Sequence, residues 1–424
     1  MSKAAADNWK EVALGEHAHI KARIGWRGLS SNEYTESGAY LIAGTHIKGA
    51  RIDWEKCDHI DDFRYEESPE IQLREHDVVI SKDGTIGRLG YVENMPGRAT
   101  INGTMMLIRP EKMFYSKFIY FYLQGDKFQK IIKEKISGSS VPHIFQRDMV
   151  TLLVPHPPLP EQQKIAAILS SVDDVIEKTR AQIDKLKDLK TGMMQELLTK
   201  GIGHTEFKDS PVGWIPASWD VRYISDLCSN IVDCVNKTAP VVDHVTPYRM
   251  IRTTNVRNGR IVMDGMRYVS QKTFKSWSRR LALKAGDLIF TREAPVGECG
   301  LVRDAKGLFL GQRTMVYRAA SEKLDSGFLL WSMLSEYCQN QIEDLSGGST
   351  TPHLRVPDCG KILLKVPPLA EQRGISSAIQ SVATLLEERE TKVAHLTGLK
   401  KALMQDLLTG KVRVNVGENE TAVA

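Results

Sequence analysis

Two stretches of this chain carry an apolar seam that alternates steps of four and three residues. The first runs Ile165, Leu169, Val172, Ile176, Thr179, Ile183, Leu186, Lys190, Met193, Leu197, and the second Ile375, Ile379, Val382, Leu386, Arg389, Val393, Leu396, Lys400, Leu403, Leu407. A seam kept over four to five heptads predicts long helices that meet another helix in a coiled coil; amphipathic helices on separate cores are the alternative. About 38 residues at 1.5 Å each make a rod of roughly 57 Å. Prolines stand ahead of each seam: Pro155, Pro157, Pro158 and Pro160, then Pro367 and Pro368. Proline is tolerated before and within a first helical turn, where no intrahelical N–H bond is lost. Glu161 and Glu371 follow, near the positive end of the helix dipole. The polar breaks fall at matching places, Thr179 with Arg389 and Lys190 with Lys400. Such residues fix register, or mark where another surface enters.

Ahead of each seam the period shortens. Asp77-Val78-Val79-Ile80-Ser81, the turn Lys82-Asp83-Gly84-Thr85, and the run from Ile86 to Val92 read as strand, turn, strand. The same reading holds around Arg292-Glu293-Ala294-Pro295. Residues 101–109 and 311–319 predict further strands. Residues 114–136 and 325–345 predict helices, the first with Phe118, Phe121, Tyr122, Phe128, Ile131 and Ile132 on its buried side.

These paired features belong to one repeat with an offset of 210 residues, which covers almost the full length. Trp9 matches Trp219. His76-Asp77-Val78-Val79-Ile80-Ser81-Lys82 matches Gly286-Asp287-Leu288-Ile289-Phe290-Thr291-Arg292. Val141-Pro142-His143 matches Thr351-Pro352-His353. Pro157-Pro158-Leu159-Pro160-Glu161-Gln162 matches Pro367-Pro368-Leu369-Ala370-Glu371-Gln372. The fold class predicted is α+β: two mixed modules joined by two long antiparallel helices, with a pseudo-two-fold repeat inside one chain. The boundaries are 1–155 and 206–365 for the modules, 156–205 and 366–416 for the helical regions, and 417–424 for a disordered tail. Similarity survives at glycines and alternating apolar positions and fades at polar loop positions. Two related modules that read different ligands would diverge in this way, and so would simple drift.

With 42% apolar and 26% charged residues, the 424-residue chain has the balance of a globular protein. No apolar run reaches the length of a membrane span, and the N-terminus has no signal-peptide core. Six scattered cysteines without a C-x-x-C pair or zinc spacing predict free thiols, no metal site and a reducing cytoplasm. Net charge is +5. The whole excess lies in residues 206–365, with 22 basic and 17 acidic residues, 13 of the cations being arginine. Arginine clamps phosphate and reads guanine edges. Arg23, Arg27, Lys48, Arg51, Lys82 and Arg88 in the first copy, and Arg252, Arg257, Arg260, Arg279, Arg280, Arg292 and Arg313 in the second, fall in predicted loops; Arg27, Lys48, Lys82, Arg88, Arg252, Arg257, Arg292 and Arg313 are the candidates for DNA contact. For any one of them a solvated face is the plainer reading. His143 and His353 follow prolines in both copies and join the candidates. Trp26, Trp54 and Trp277 are aromatic enough to stack on bases, though packing suits them better.

There is no P-loop, no G-x-G-x-x-G, no G-x-S-x-G, and no Asn-Pro-Pro-aromatic or Asp-Pro-Pro-Tyr tetrapeptide of amino-methyltransferases. The chain reads as a binding component without catalytic residues.

A globular block, Pro-Pro-Leu-x-Glu-Gln, a long helix, Leu-Leu-Thr, and then the same again resembles the specificity subunits of type I restriction–modification systems. That resemblance implies target-recognition modules that each read one half of a split, asymmetric DNA site in the major groove. It implies helices that set the unread gap and dock two methyltransferase subunits, with restriction and translocase subunits joining that core. S-adenosylmethionine, ATP and magnesium are then expected on the partners and no cofactor on this chain. Two other readings stay open: a coiled-coil scaffold that binds proteins without DNA specificity, and a DNA-modifying enzyme in its own right. A close cousin of the leading reading is the recognition half of a fused restriction–methylation enzyme.

Overall fold

The computed structural model describes residues 9–23, 29–49, 51–137, 143–347 and 352–416. It divides into two compact units, one formed by Met1–Thr179 with Lys392–Ala424 and the other by Arg180–Thr391. Each long helix is therefore shared between the units, whereas the sequence boundaries assign each helix to a region of its own.

In the first unit the strands are β1 (Lys10–Ala13), β2 (Ala18–Ala22), β3 (Ala39–Ile42), β4 (Ile47–Lys48), β5 (Arg51–Ile52), β6 (Asp58–Ile60), β7 (Val78–Ser81), β8 (Leu89–Tyr91), β9 (Ala99–Ile101), β10 (Met105–Pro110) and β11 (Leu153–His156). The helices are α1 (Asp62–Glu66), α2 (Ser116–Gln124), α3 (Asp126–Ser137), α4 (Gln146–Val150) and the start of α5 (Leu159–Leu197). Strands β2, β10, β7 and β8 form an antiparallel sheet in that order, and β6, β3 and β9 form a second, mixed one. Strand alternation assigns the two faces of the first sheet. Ile20, Val78, Ile80, Met106 and Ile108 pack with α2 and α3 on one side. Val79, Met105 and Leu107 pack with Ile42 and Ile101 on the other.

The second unit repeats this plan. Its strands are β12 (Phe207–Lys208), β13 (Ile215–Pro216), β14 (Asp220–Tyr223), β15 (Cys228–Asp233), β16 (Arg249–Ile251), β17 (Val256–Arg257), β18 (Arg260–Ile261), β19 (Arg267–Tyr268), β20 (Leu288–Arg292), β21 (Val296–Leu301), β22 (Leu308–Leu310), β23 (Thr314–Ala319) and β24 (Leu363–Val366). Its helices are α6 (Ile224–Leu227), α7 (Gln271–Trp277), α8 (Ser326–Met333), α9 (Glu336–Leu345) and the start of α10 (Leu369–Leu407). Sheet order β15-β23-β20-β21 matches β2-β10-β7-β8, and β19-β16-β22 matches β6-β3-β9. Leu288, Phe290 and Tyr317 face the helices, while Ile289 and Val316 face the smaller sheet.

Several predicted elements divide differently in the structure. Residues 101–109 begin on the last residue of β9 and turn before entering β10, while 311–319 open on the turn that follows β22 and hold β23 alone; Arg313 in this second turn has φ +65°. The helices predicted over 114–136 and 325–345 each split in two. Gly125 ends α2 in an extended conformation, and the Ser335 hydroxyl caps a fresh helix at Cys338. The expected tail, 417–424, lies outside the described residues.

Both long helices run 39 residues. In the first unit Ile165 and Leu169 share a core with Leu407 and Leu408. In the second, Ile375, Ile379 and Ala383 share one with Leu198, and Met193, Met194 and Leu197 pack against it. Every seam position is buried or half-buried: Val172, Ile176, Ile183 and Leu186 in α5, and Val382, Leu386, Val393 and Leu396 in α10 among them. All six cysteines are free thiols.

Candidate nucleic-acid interface

Three segments meet at one end of the first unit's large sheet. The Lys82 N–H donates to the Thr104 carbonyl (2.8 Å), and the Ile144 N–H donates to the Lys82 carbonyl (3.1 Å). The turn after β7 is thereby joined to the turn before β10 and to the stretch that follows the Pro-His pair. The Lys82 ammonium lies 2.9 Å from the Asp83 carboxylate, and His143 Nδ1 contacts that carboxylate from the other side. Burial works to raise the Asp83 pKa, but the hydrogen bonds from Lys82 and His143 outweigh it and hold the carboxyl below its ordinary value.

The second unit rebuilds the arrangement with other side chains. The Arg292 N–H donates to the Arg313 carbonyl (2.8 Å), and the Leu354 N–H donates to the Arg292 carbonyl (2.9 Å). Glu293 bridges to His353 through the backbone, and Arg313 Nε lies 3.4 Å from the Glu293 carboxylate. A cation, an acid and the histidine of Pro-His thus converge twice, as Lys82, Asp83 and His143, and as Arg313, Glu293 and His353.

The other sequence candidates have different settings. Arg88 and Arg292 are half-buried and each braces a backbone carbonyl. Arg88 donates to the Gly44 carbonyl at 2.7 Å and Arg292 to the Leu354 carbonyl at 3.2 Å. Arg252 is also half-buried and donates to the Gly265 carbonyl at 2.9 Å. Lys48 is exposed on the β4–β5 hairpin, 2.8 Å from Asp53. Arg257, its equivalent on the β17–β18 hairpin, is exposed and makes no side-chain hydrogen bond or ion pair among the described residues. Arg27 and Trp26 lie outside the described residues. Trp54 donates to the Glu93 carbonyl and Trp277 to the Lys237 carbonyl, so both are anchored by their ring nitrogens.

Several contacts were not legible in the sequence, although Arg51 and Arg260 stand there among the loop cations. Arg51, at the end of one hairpin, lies 2.6 Å from Glu177 of α5, and Arg260, at the end of the other, lies within 4 Å of Glu387 and Glu390 of α10. Each hairpin is therefore pinned to a long helix at matching positions. Gln162 and Gln372 are fully buried. Gln162 donates to the Met113 and Pro157 carbonyls and accepts from the Tyr115 N–H. Gln372 does the same with Lys323, Pro367 and Asp325. Glu161 holds Arg413 in a bidentate pair, while Glu371 accepts from the Trp219 ring N–H and contacts His204. The repeated Pro-Pro-Leu-x-Glu-Gln is thus a set of anchors between each long helix and its module, and the repeat itself was the signal for it. Asp77 pairs bidentately with Arg109, and Asp287 with Arg318. Among the described residues no group of three or more histidines, cysteines or acids is placed to hold a metal ion. No described helix is long and apolar enough to cross a membrane.

Residues 6–188 and 216–395 match the family described as the type I restriction modification DNA specificity domain, once in each half. The chain belongs to that family. As a type I specificity subunit it recognises DNA sequence for a restriction–modification complex. It is 28% identical over 365 residues to the type I restriction enzyme MjaVIII specificity subunit of Methanocaldococcus jannaschii, covering 81% of each chain. It is 21% identical over 405 residues to the EcoKI specificity subunit of Escherichia coli K12, covering 88% of this chain and 81% of the other. The crystal structure of a type I restriction–modification S subunit from M. genitalium superposes with a TM-score of 0.64 at 13% identity, over 98% of this chain and 99% of that one. This similarity establishes the two-domain α+β fold of the specificity subunit.

Proposed function

We propose that each module of this specificity subunit reads one half of a split, asymmetric DNA target, and that the two long helices lie antiparallel and set the unread gap. The observation that carries this reading is the doubled site. One backbone arrangement at the end of the large sheet presents Lys82, Asp83 and His143 in one module and Arg313, Glu293 and His353 in the other. The shared backbone frame carries its cation on different segments, at Lys82 after β7 and at Arg313 before β23, which suits two half-sites of different sequence. Half-sites read from one face of a duplex lie about 34–36 Å apart. A 39-residue helix spans about 58 Å, enough to hold two modules at that separation. Cores shared between the start of one long helix and the end of the other support the antiparallel arrangement.

Docking of two copies of one partner fits a second doubled feature. A groove of about 820 Å³ lined by Trp9, Asp126, Lys400 and Met404 lies in the first unit. One of about 450 Å³ lined by Met194, Leu198, Ser335 and Tyr337 lies at the matching place in the second. On this reading the partners are methyltransferase subunits, which carry S-adenosylmethionine and modify the DNA. Restriction subunits, which carry ATP and magnesium, join the same complex in the cytoplasm, and this chain supplies no catalytic residue. The test is a genome-wide map of methylated bases with the gene present and deleted. One split motif should lose methylation on deletion, and exchanging residues 206–365 for those of a relative should change one half of that motif alone. Loss of no motif while the methyltransferase is expressed would overturn the proposal.

A further inference from the structure

The segments that follow β6 and β19 occupy equivalent places in the two modules but carry opposite charge. Residues 61–70 hold Asp61, Asp62, Glu66, Glu67 and Glu70 against Arg64 alone, a net charge of −4. Residues 271–280 hold Lys272, Lys275, Arg279 and Arg280 and no acid, a net charge of +4. The facing strand ends are exchanged as well. The first module has the buried Arg23, which donates to Ser68 and to the Ile101 carbonyl, where the second has Asp233 paired with Arg280. In the first module the acids are answered from within: Arg98 pairs with Asp62 and Glu66, and Arg64 pairs with Glu67. In the second, Lys272, Lys275 and Arg279 are exposed and make no side-chain hydrogen bond or ion pair among the described residues.

This basic segment is continuous with the site at the end of the large sheet. Trp277 donates to the Lys237 carbonyl, and Arg280 donates to the Cys234 carbonyl at 2.9 Å. The Cys234 N–H donates to the Thr314 carbonyl, and Thr238 donates to Gln312 at 3.0 Å. Gln312 and Thr314 flank Arg313. One rim thus runs from α7 through residues 233–238 to the turn at Arg292 and Glu293. Lys272, Lys275 and Arg279, projecting from it with no acidic partner among the described residues, suit an anionic polymer passing over it.

We infer that α7 and its following turn form a phosphate-backbone clamp belonging to the second module, with Lys272, Lys275 and Arg279 as its contacts and no counterpart in the first module. The inference rests on the DNA-reading role and adds to it a chemical asymmetry between the halves. Each phosphate neutralised contributes about 0.9 to the slope of log affinity against log salt. Such contacts position the protein and carry no sequence information.

The test uses the full chain assembled with its methyltransferase partner, bound to a mixed-sequence DNA duplex over a range of sodium chloride concentrations. The combined variant Lys272→Gln, Lys275→Gln, Arg279→Gln should lower the slope by about 2–3 and leave the methylated motif unchanged. In the first module, Asp62→Asn with Glu66→Gln should leave the slope unchanged. An unaltered slope in the triple variant overturns the clamp, and so does a triple variant that binds DNA normally but no longer assembles with its partner, which would make the rim a protein contact. A changed slope in the first-module variant overturns the asymmetry. Absence of salt-dependent binding by the unmodified complex would instead remove the DNA-reading role itself.

Discussion

Gln162 and Gln372 each spend a whole side-chain amide on three backbone groups, in surroundings that exclude water. Removing such a group strands buried donors and acceptors, at about 1–3 kcal/mol. Gln162→Ala should therefore lower the stability of the chain by about 2 kcal/mol in urea titration. Gln162→Glu should be at least as harmful, because a carboxylate cannot donate to the Met113 and Pro157 carbonyls. The thiols set a pH limit. Burial pushes Cys57 and Cys338 up to about 12, against about 8.5 for a free thiol. Above about pH 8.5 the unfolded chain loses these protons while the folded chain keeps them, so stability falls as pH rises. The loss approaches about 1.4 kcal/mol per pH unit per thiol. Cys338→Ala should flatten the alkaline limb of a Tm-against-pH profile between pH 9 and 11. Below pH 8 it should leave only a pH-independent offset.

At the scale of elements, the long helices draw stability from the stretches where they enter a module core. Leu169 and Ile379 are fully buried there. Leu169→Ala or Ile379→Ala should cost about 3 kcal/mol. Leu189→Ala, at a position 51% exposed on the outer face of α5, should change stability by less than about 0.5 kcal/mol. Comparing their unfolding midpoints distinguishes seam from surface. The lysines that interrupt the heptads turn toward the modules. Lys190 lies over the Trp331 ring at 4.7 Å, and burial lowers its pKa. Lys400 lies over Phe121 and reaches Asp173 at 2.8 Å. Both lysine breaks in the apolar pattern are thus places where a module helix touches the long helix.

At the scale of the whole molecule, the reading makes spacing a property of helix length. Inserting one heptad into each long helix, in phase with the seam, keeps every apolar position facing inward and lengthens the helices by about 10.5 Å. At 3.4 Å per base pair, the unread gap in the methylated motif should then grow by about three base pairs, with both half-sites unchanged. Methylome sequencing of a strain carrying the lengthened subunit checks this, and an unchanged gap would show that the helices do not measure it.

The sequence alone determined the duplication, the two long helices, the strand-turn-strand cores and the family, because each is written in short-range periodicity or in motifs repeated at one offset. Heptads, alternation and Pro-Pro-Leu-x-Glu-Gln need no knowledge of what lies across the fold. Tertiary structure decided which cations are available. Arg88 and Arg292 look like loop arginines in the chain, yet they meet the carbonyls of Gly44 and Leu354, 44 and 62 residues away. Lys272, Lys275 and Arg279 meet no acid among the described residues, whereas the acids in the equivalent stretch of the first module meet Arg98 and Arg64. A charged side chain is held or free according to the partner that folding brings to it, and that partner is set by long-range contacts that no local pattern records.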